Sequence, residues 1–353
     1  MADGAAPTAV GTTSTAVGTT STAVIIDTDC GVDDAVALWW AITEPRIDVV
    51  GLTTVWGNTG VEGAAANVGR VLAAAERSDI PVALGAHGPI ADAPQLRVAD
   101  FIHGADGLGN TFRPEADVSP VDESAVAMLR RLVDERPGEI TVVSIGPLSN
   151  IAEAILTDPT WASRVRELVV MGGTVAIQGN ALPVGEANIA HDPVAADVVS
   201  RAAWVMPPLL VNLDVTLQAT LSDIEFELLA EHRSPAAAFL DEPLRFYRTF
   251  GSTFTPGECP SHDLVAVMAV VERELVVAQE LPLAIQSTPG PAWGQTVVDR
   301  RVPFFAAATA ANGGDDAVQP PHDDGFRPWR VAVAVDVEQF RRLVRQLFGE
   351  LTS

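Results

Sequence analysis

The 353-residue chain contains no lysine; all 22 of its basic side chains are arginine. That absence excludes a Walker-type phosphate loop, which needs its Lys, and Schiff-base catalysis, which needs a side-chain amine. Positive charge is scarce altogether. Against 46 Asp and Glu residues, the arginines leave a formal net charge of -24, and such a surface repels nucleic acid and anionic membrane. No nucleic-acid or membrane partner is expected. The ligand should be small and neutral or cationic, or an anion only if a metal helps. Cysteine is nearly missing. Cys30 and Cys259 cannot make a disulfide framework, and a reducing, cytoplasmic setting follows as the default. The N-terminus lacks the basic n-region and apolar h-region of a secretory signal. No stretch approaches the roughly eighteen uninterrupted apolar residues of a membrane span. Aromatics are few, at 6%, but the hydrophobic share of 48% is enough for a substantial core.

Residues 9–15 and 16–22 are the same seven residues, Ala-Val-Gly-Thr-Thr-Ser-Thr, in tandem. Without core-forming periodicity, residues 1–22 read as a disordered low-complexity tail, and 23–353 as one catalytic domain. Strand and helix patterns then alternate. Strands are expected at 23–26, 47–55, 80–84, 139–144, 167–171, 208–213 and 331–335. Helices are expected at 35–42, 61–75, 125–135, from 151, from Leu264 and at 337–348. This rhythm predicts an α/β fold, a mostly parallel, doubly wound, Rossmann-like sheet with helices on both faces. In such sheets ligands sit beyond the carboxyl ends of the strands, where the polar loops of this chain fall. Residues 250–261 read as a mobile active-site flap, with Phe246, Tyr247, Phe250 and Phe254 able to stack on a ring. Residues 307–326 read as a surface loop.

Four carboxylates crowd eight residues after the first strand: Asp27-Thr28-Asp29-Cys30-Gly31-Val32-Asp33-Asp34. Like charges this close repel, and burying them is costly unless they are paired. A helix cap explains one or two of them. Four suggest a hard cation held by several oxygens. An Asp-x-Asp after a strand also opens the haloacid-dehalogenase phosphatases, but Cys30-Gly31 stands in place of their Gly-Thr and their Lys is missing. His262-Asp263, ahead of an apolar helix, offers a near-neutral proton donor and another hard oxygen. Glu186 and Asn188, two apart on a segment read as extended, face one side and could grip vicinal hydroxyls. His103, among glycines, fits a surface loop or a site equally well.

Together these motifs resemble the inosine-uridine-preferring nucleoside hydrolase family. The resemblance rests on Asp27-Thr28-Asp29-x-Gly31-x-Asp33-Asp34, Thr53-Thr54-Val55-Trp56-Gly57-Asn58, Gly146-Pro147-Leu148-Ser149-Asn150, Met171-Gly172-Gly173, Glu186-x-Asn188 and His262-Asp263, over about residues 24–349. It implies calcium-dependent cleavage of the N-glycosidic bond of ribonucleosides to ribose and free base. It implies Ca2+ ligands at Asp29, Asp34, Asp263 and the backbone carbonyl of Ile145. Asp29 is then the base that activates water, and His262 the leaving-group acid. The substrate pocket is expected to include Asp33, Asn58, His103, Met171, Asn180, Glu186, Asn188 and Asp263. A homo-oligomer, dimer or tetramer, is also implied.

The chain departs from the family pattern at Cys30, where Pro is common, at Ile145, often Thr, and at Leu217, where a His is frequent. Cys30 and Cys259 are expected near each other at the mouth. Base preference is open. The competing readings are a nucleoside- or ribose-binding protein that has lost catalysis, and a hydrolase of another ribosyl compound.

Overall fold

The computed structural model describes residues 21–92, 94–251, 257–301 and 325–349. Nearly all of the predicted tail, the middle of the predicted flap with Phe254, and most of the predicted 307–326 loop lie outside these residues. The strands are β1 (Thr22–Thr28), β2 (Ile47–Thr54), β3 (Val82–Leu84), β4 (Thr141–Ser144), β5 (Glu167–Met171), β6 (Leu209–Val211), β7 (Thr220–Leu221), β8 (Cys259–Pro260), β9 (Val276–Ile285), β10 (Thr296–Val298) and β11 (Arg327–Val335). The helices are α1 (Val32–Thr43), α2 (Val61–Ala74), α3 (Asp100–His103), α4 (Ala125–Glu135), α5 (Ser149–Thr157), α6 (Ala187–His191), α7 (Pro193–Arg201), α8 (Leu213–Thr216), α9 (Asp223–Glu231), α10 (Pro235–Gly251), α11 (His262–Met268) and α12 (Val337–Leu347).

Nine strands form one sheet in the order β10-β9-β11-β6-β5-β4-β1-β2-β3. From β11 to β3 every neighbouring pair is parallel, while β9 and β10 add an antiparallel end. The predicted doubly wound sheet is present. Its central strands are buried on both faces, as parallel strands covered by helices must be. In β1, Val24 and Ile26 join the core under α1, α10 and α11, whereas Ala23 and Ile25 join the core under α4, α5 and α7. The antiparallel end is different. Val277–Glu280 of β9 are exposed, and Pro282 stands opposite Pro328 of β11. Gln279, Glu280 and Pro282 break its apolar residues into short pieces, so β9 escapes a reading by hydrophobic runs.

The chain runs outward from β1 through β2 to β3, then returns to β4 on the other side of β1. The gap beyond the carboxyl ends of β1 and β4 is the topological switch point, the usual ligand crevice of such sheets. The backbone N–H of Ile145 donates to the Asp27 carbonyl there, at 2.8 Å. No helix of the described residues is long and apolar enough to cross a membrane.

Away from that crevice, Glu167 at the start of β5 ties distant parts of the sheet together. Its carboxylate accepts two hydrogen bonds from Arg273, both at 2.7 Å, and one from Arg330 of β11 at 2.6 Å. Burial pushes the Glu167 carboxyl up, but the two guanidiniums outweigh it and hold it below its ordinary value of 4.5. A depressed pKa gives stability that is present above the ordinary value and lost as pH falls through the folded one. Glu167→Gln should therefore lower stability at pH 7 by about 2 kcal/mol. Calorimetric melting of the two proteins should show this gap narrowing below pH 4.5.

Candidate active site

The acidic loop leaves β1 and turns directly into α1. Asp33 and Asp34 occupy the first turn of α1, and Asp263 the first turn of α11. Carboxylates are favoured at the positive end of a helix, so both helices aim their N-termini into the crevice with acidic residues on them. Asp34 accepts from Thr28 Oγ1 at 2.6 Å, from Gly31 N–H at 2.9 Å and from Asn58 Nδ2 at 3.0 Å. Asp29 accepts from Asn58 twice, backbone N–H to Oδ2 at 2.7 Å and Nδ2 to Oδ1 at 3.1 Å. Asn58 thus bridges Asp29 and Asp34. The close approach requires glycine next to it, because a Cβ on Gly57 would stand 2.1 Å from Asp29 Oδ2. Gly31 is constrained likewise: a Cβ there would lie 2.5 Å from His103 Nδ1.

Oxygen atoms of Asp33, Asp34 and Asp263 lie within 4.8 Å of one another. Burial, then the neighbouring carboxylates, pushes Asp29 and Asp263 well up and Asp33 up to about 7. Burial raises Asp34 as well, against its bond from Thr28. Among the described residues no guanidinium pairs with any of the four. The Ile145 carbonyl, a neutral oxygen, receives Asn188 Nδ2 at 3.1 Å and lines the same crevice. An all-oxygen donor set with unneutralised negative charge fits a hard divalent cation, and Ca2+ takes six to eight such oxygens.

One cleft of about 730 Å³, counted out to its open mouth, brings together Asp33, Asn58, His103, Ile145, Met171, Asn180, Glu186, Asn188, His262 and Asp263. Asp29 and Asp34 lie just beneath it, behind Asn58. The tightest trio contains Asp33 and not Asp29, although the family resemblance gave Asp33 to the substrate and Asp29 to the metal.

Glu186 and Asn188 are not on an extended segment. Glu186 is the N-cap of α6, accepting from Asn188 N–H at 2.9 Å, Ile189 N–H at 3.1 Å and Gly173 N–H at 2.7 Å. A capping carboxylate satisfies helix N–H groups that a strand would not leave free. Burial pushes it up to about 7 against these bonds. Asn180, exposed at the rim, accepts from Ala187 N–H at 2.9 Å.

The His103 imidazole is buried and that of His262 half-buried. His103 Nδ1 is 3.9 Å from Asp33 Oδ1, but this is no ion pair. Nδ1 already accepts from Val32 N–H at 3.1 Å, and burial, with His262 nearby, pushes the ring down to about 3. His103 is therefore neutral, with its proton on Nε2. Burial pushes His262 down to about 4, and its Nδ1 lies 2.8 Å from Thr216 Oγ1.

Some expectations are corrected. Helix α11 begins at His262 itself, not at Leu264, so His262 and Asp263 share its first turn. The aromatics Tyr247 and Phe250 line the cleft from helix α10, not from a flap. Cys30 and Cys259 are fully buried in one hydrophobic cluster, not at the mouth, and burial pushes both thiols up. Leu217 packs against the core and does not line the cleft. Sequence reasoning missed Thr216 and the apolar wall of Ala99, Ile102 and Pro260. Thr216 is next to Leu217 in a motif read only for its missing His.

The model of the inosine-uridine preferring nucleoside hydrolases matches residues 24–342. The chain belongs to this family. It is 35% identical over 317 residues to uridine nucleosidase 1 of Arabidopsis thaliana, covering 89% of each chain. It is 35% identical to a pyrimidine-specific ribonucleoside hydrolase of Photobacterium profundum, over 78% of this chain and 88% of that one. Among solved structures, a plant nucleoside hydrolase superposes with a TM-score of 0.84 at 34% identity, over 94% of this chain and 99% of that one. A purine-preferring ribonucleoside hydrolase from Gardnerella vaginalis gives 0.80 at 29% identity, over 92% and 98%. The nucleoside hydrolase described here is an N-glycosidase, and its buried aspartate cluster is a Ca2+ site.

Metal binding should be visible in stability. Without the cation, a carboxyl raised from 3.8 to about 7, as Asp33 is, costs stability as pH rises through that window. At pH 5 the cation must displace protons, and at pH 8 it need not. Ca2+ should raise the melting temperature more at pH 8 than at pH 5, and a chelator should cancel the gain. At a hundredfold excess over Kd the gain corresponds to about 2.7 kcal/mol. Scanning calorimetry checks it, and Asp34→Asn should remove most of the response.

Proposed function

We propose that this nucleoside hydrolase splits the N-glycosidic bond of ribonucleosides with Asp29 as the base that activates water and His262 as the leaving-group acid. The observation that carries this reading is the convergence, at one switch-point crevice, of four buried carboxylates lacking a counter-cation with the His262 imidazole, which lines the same cleft. Asp29, Asp34, Asp263 and the Ile145 carbonyl would hold Ca2+, with Asp33 close enough to share it. Bound calcium supplies the positive charge that lets these carboxylates ionise together and polarises the oxygens it touches.

The remaining chemistry belongs to the chain. Both oxygens of Asp29 are held by Asn58, so its carboxylate has one orientation. Asp33, Glu186, Asn188 and Asn180 offer the polar surface that grips ribose hydroxyls. Cleavage leaves positive charge on the sugar, and an acidic, preorganised pocket stabilises that oxocarbenium-like transition state. His262 donates toward the departing base, a contribution worth about 10²–10⁴-fold. His103 and Met171 complete the wall.

Uridine is the substrate we place first, because relatives at 33–38% identity are named uridine nucleosidases. A homo-oligomer, dimer or tetramer, working in the cytoplasm completes the reading; two buried free thiols suit that compartment.

Base release should be fastest on uridine in a panel of purine and pyrimidine ribonucleosides, and a chelator should stop it. Tight ribose binding with no base released from any of them would mark a binding protein instead. Asp29→Asn should cut kcat by about 10³-fold or more while the protein stays folded; near-parental turnover would remove Asp29 as the base.

A further inference from the structure

Two imidazoles, His103 and His262, line the cleft, and the reaction depends on which ring nitrogen of each carries the proton. For His103 a backbone N–H decides the matter, since Nδ1 accepts from Val32. For His262 the partner is a hydroxyl, Thr216 Oγ1, 2.8 Å from Nδ1. A hydroxyl can donate or accept, so the direction of this bond has to be argued.

Thr216 is fully buried at the end of α8, and Oγ1 has no other hydrogen-bond partner among the described residues. If Oγ1 accepted from Nδ1–H, the hydroxyl proton would be buried without an acceptor, a loss that folded proteins avoid. If Oγ1–H donates to Nδ1, one bond satisfies both groups. The imidazole proton then sits on Nε2. Nδ1 is covered by Thr216, so Nε2 is the nitrogen left for the cleft that His262 lines. The same cleft is lined by the carboxylates of Asp33 and Asp263, acceptors that favour a donor there.

We propose that Thr216 is the positioning residue for His262: its hydroxyl donates to Nδ1, fixes the Nε2–H tautomer and presents that N–H as a hydrogen-bond donor to the departing base, the ring keeping its proton while the charge on the leaving group develops. The inference rests on the reading of His262 as leaving-group acid. Thr216 does not itself line the cleft. It sets which nitrogen of His262 is the donor and how the ring is turned.

The test compares a nucleoside, whose poor leaving base needs a donor to stabilise its developing charge, with 4-nitrophenyl riboside, whose leaving group needs none. With the full-length, Ca2+-loaded enzyme, Thr216→Val should lower kcat on the nucleoside about tenfold or more, within the range that acid help supplies. It should leave 4-nitrophenyl riboside nearly unchanged, with KM close to parental for both. Thr216→Ser keeps the hydroxyl and should restore the nucleoside rate. Equal losses on the two substrates, or no loss on either, would overturn the proposal. His262→Ala separates the two levels. A selective loss there without one in Thr216→Val sinks the positioning role and leaves the acid standing. An unselective loss in His262→Ala sinks both. Nitrogen-15 NMR of the histidine-labelled protein reads the tautomer without turnover, His262 being assigned by its loss in His262→Ala. The expected pattern is a protonated Nε2 and a bare Nδ1; a protonated Nδ1 in the parent enzyme would refute the proposal outright.

Discussion

Four carboxylates buried at one crevice repel each other, and most of the site follows from how that repulsion is met. At 4.8 Å and an effective dielectric of 20, each ionised pair costs about 3.5 kcal/mol. The positive ends of α1 and α11 offset about 0.3–2 kcal/mol each. Hydrogen bonds from Asn58, Thr28 and Gly31 offset more, but they reach only Asp29 and Asp34. Even so, all four carboxyls stay pushed up, Asp29 included. These magnitudes decide between a capped turn and a metal site: caps and dipoles cannot hold three ionised groups so close, whereas a divalent cation can.

The same requirement explains why the chain brings together residues 229 positions apart, Asp34 and Asp263. β1 and β4 part at the switch point and deliver the acidic loop and the Ile145 carbonyl side by side. Asp27 fastens the junction from below. Its carboxylate accepts from Thr53 on β2 and from Asn150 Nδ2 at 2.7 Å on α5, and its carbonyl accepts from Ile145. Burial pushes the Asp27 carboxyl up to about 6, so the brace itself is held at a cost. On the far side the β7–β8 ladder places Ser261 at the start of α11, and Arg341 of α12 pins that ladder through Thr220 and Glu258. Rigid elements, not loops alone, set the distances at the metal.

The acidic loop was legible from sequence because its meaning is local: a strand, four carboxylates and a helix in consecutive residues. The parallel strands were legible for the same reason, since burial on both faces writes an unbroken apolar run. Glu186-x-Asn188 was legible as a pair but not as a geometry. Period-two spacing describes a strand, and only the capped N–H groups of α6 show that the pair belongs to a helix start. His103 and Thr216 were not decidable. A histidine among glycines and a threonine in an apolar motif acquire roles only when Val32 and His262 arrive from elsewhere in the chain. Strand β9 was missed because it is half exposed and carries proline, the marks of an edge region and not of a core.

The two halves of the cleft answer to different physics. The half that holds the metal is fixed by charge: moving one carboxylate changes a repulsion of several kcal/mol, and a Cβ at Gly57 would collide with Asp29. The other half is walled by Ala99, Ile102, Tyr247, Phe250 and Pro260, supplied by α3 with the segment ahead of it, α10 and β8. Apolar contacts of that kind discriminate by about 1–3 kcal/mol per methylene, so they can be exchanged without disturbing the carboxylates. A family that keeps one fold while its members are named for uridine, pyrimidine or purine nucleosides is what this division produces. The constraint that makes the acidic half rigid is also what leaves the apolar half free to vary.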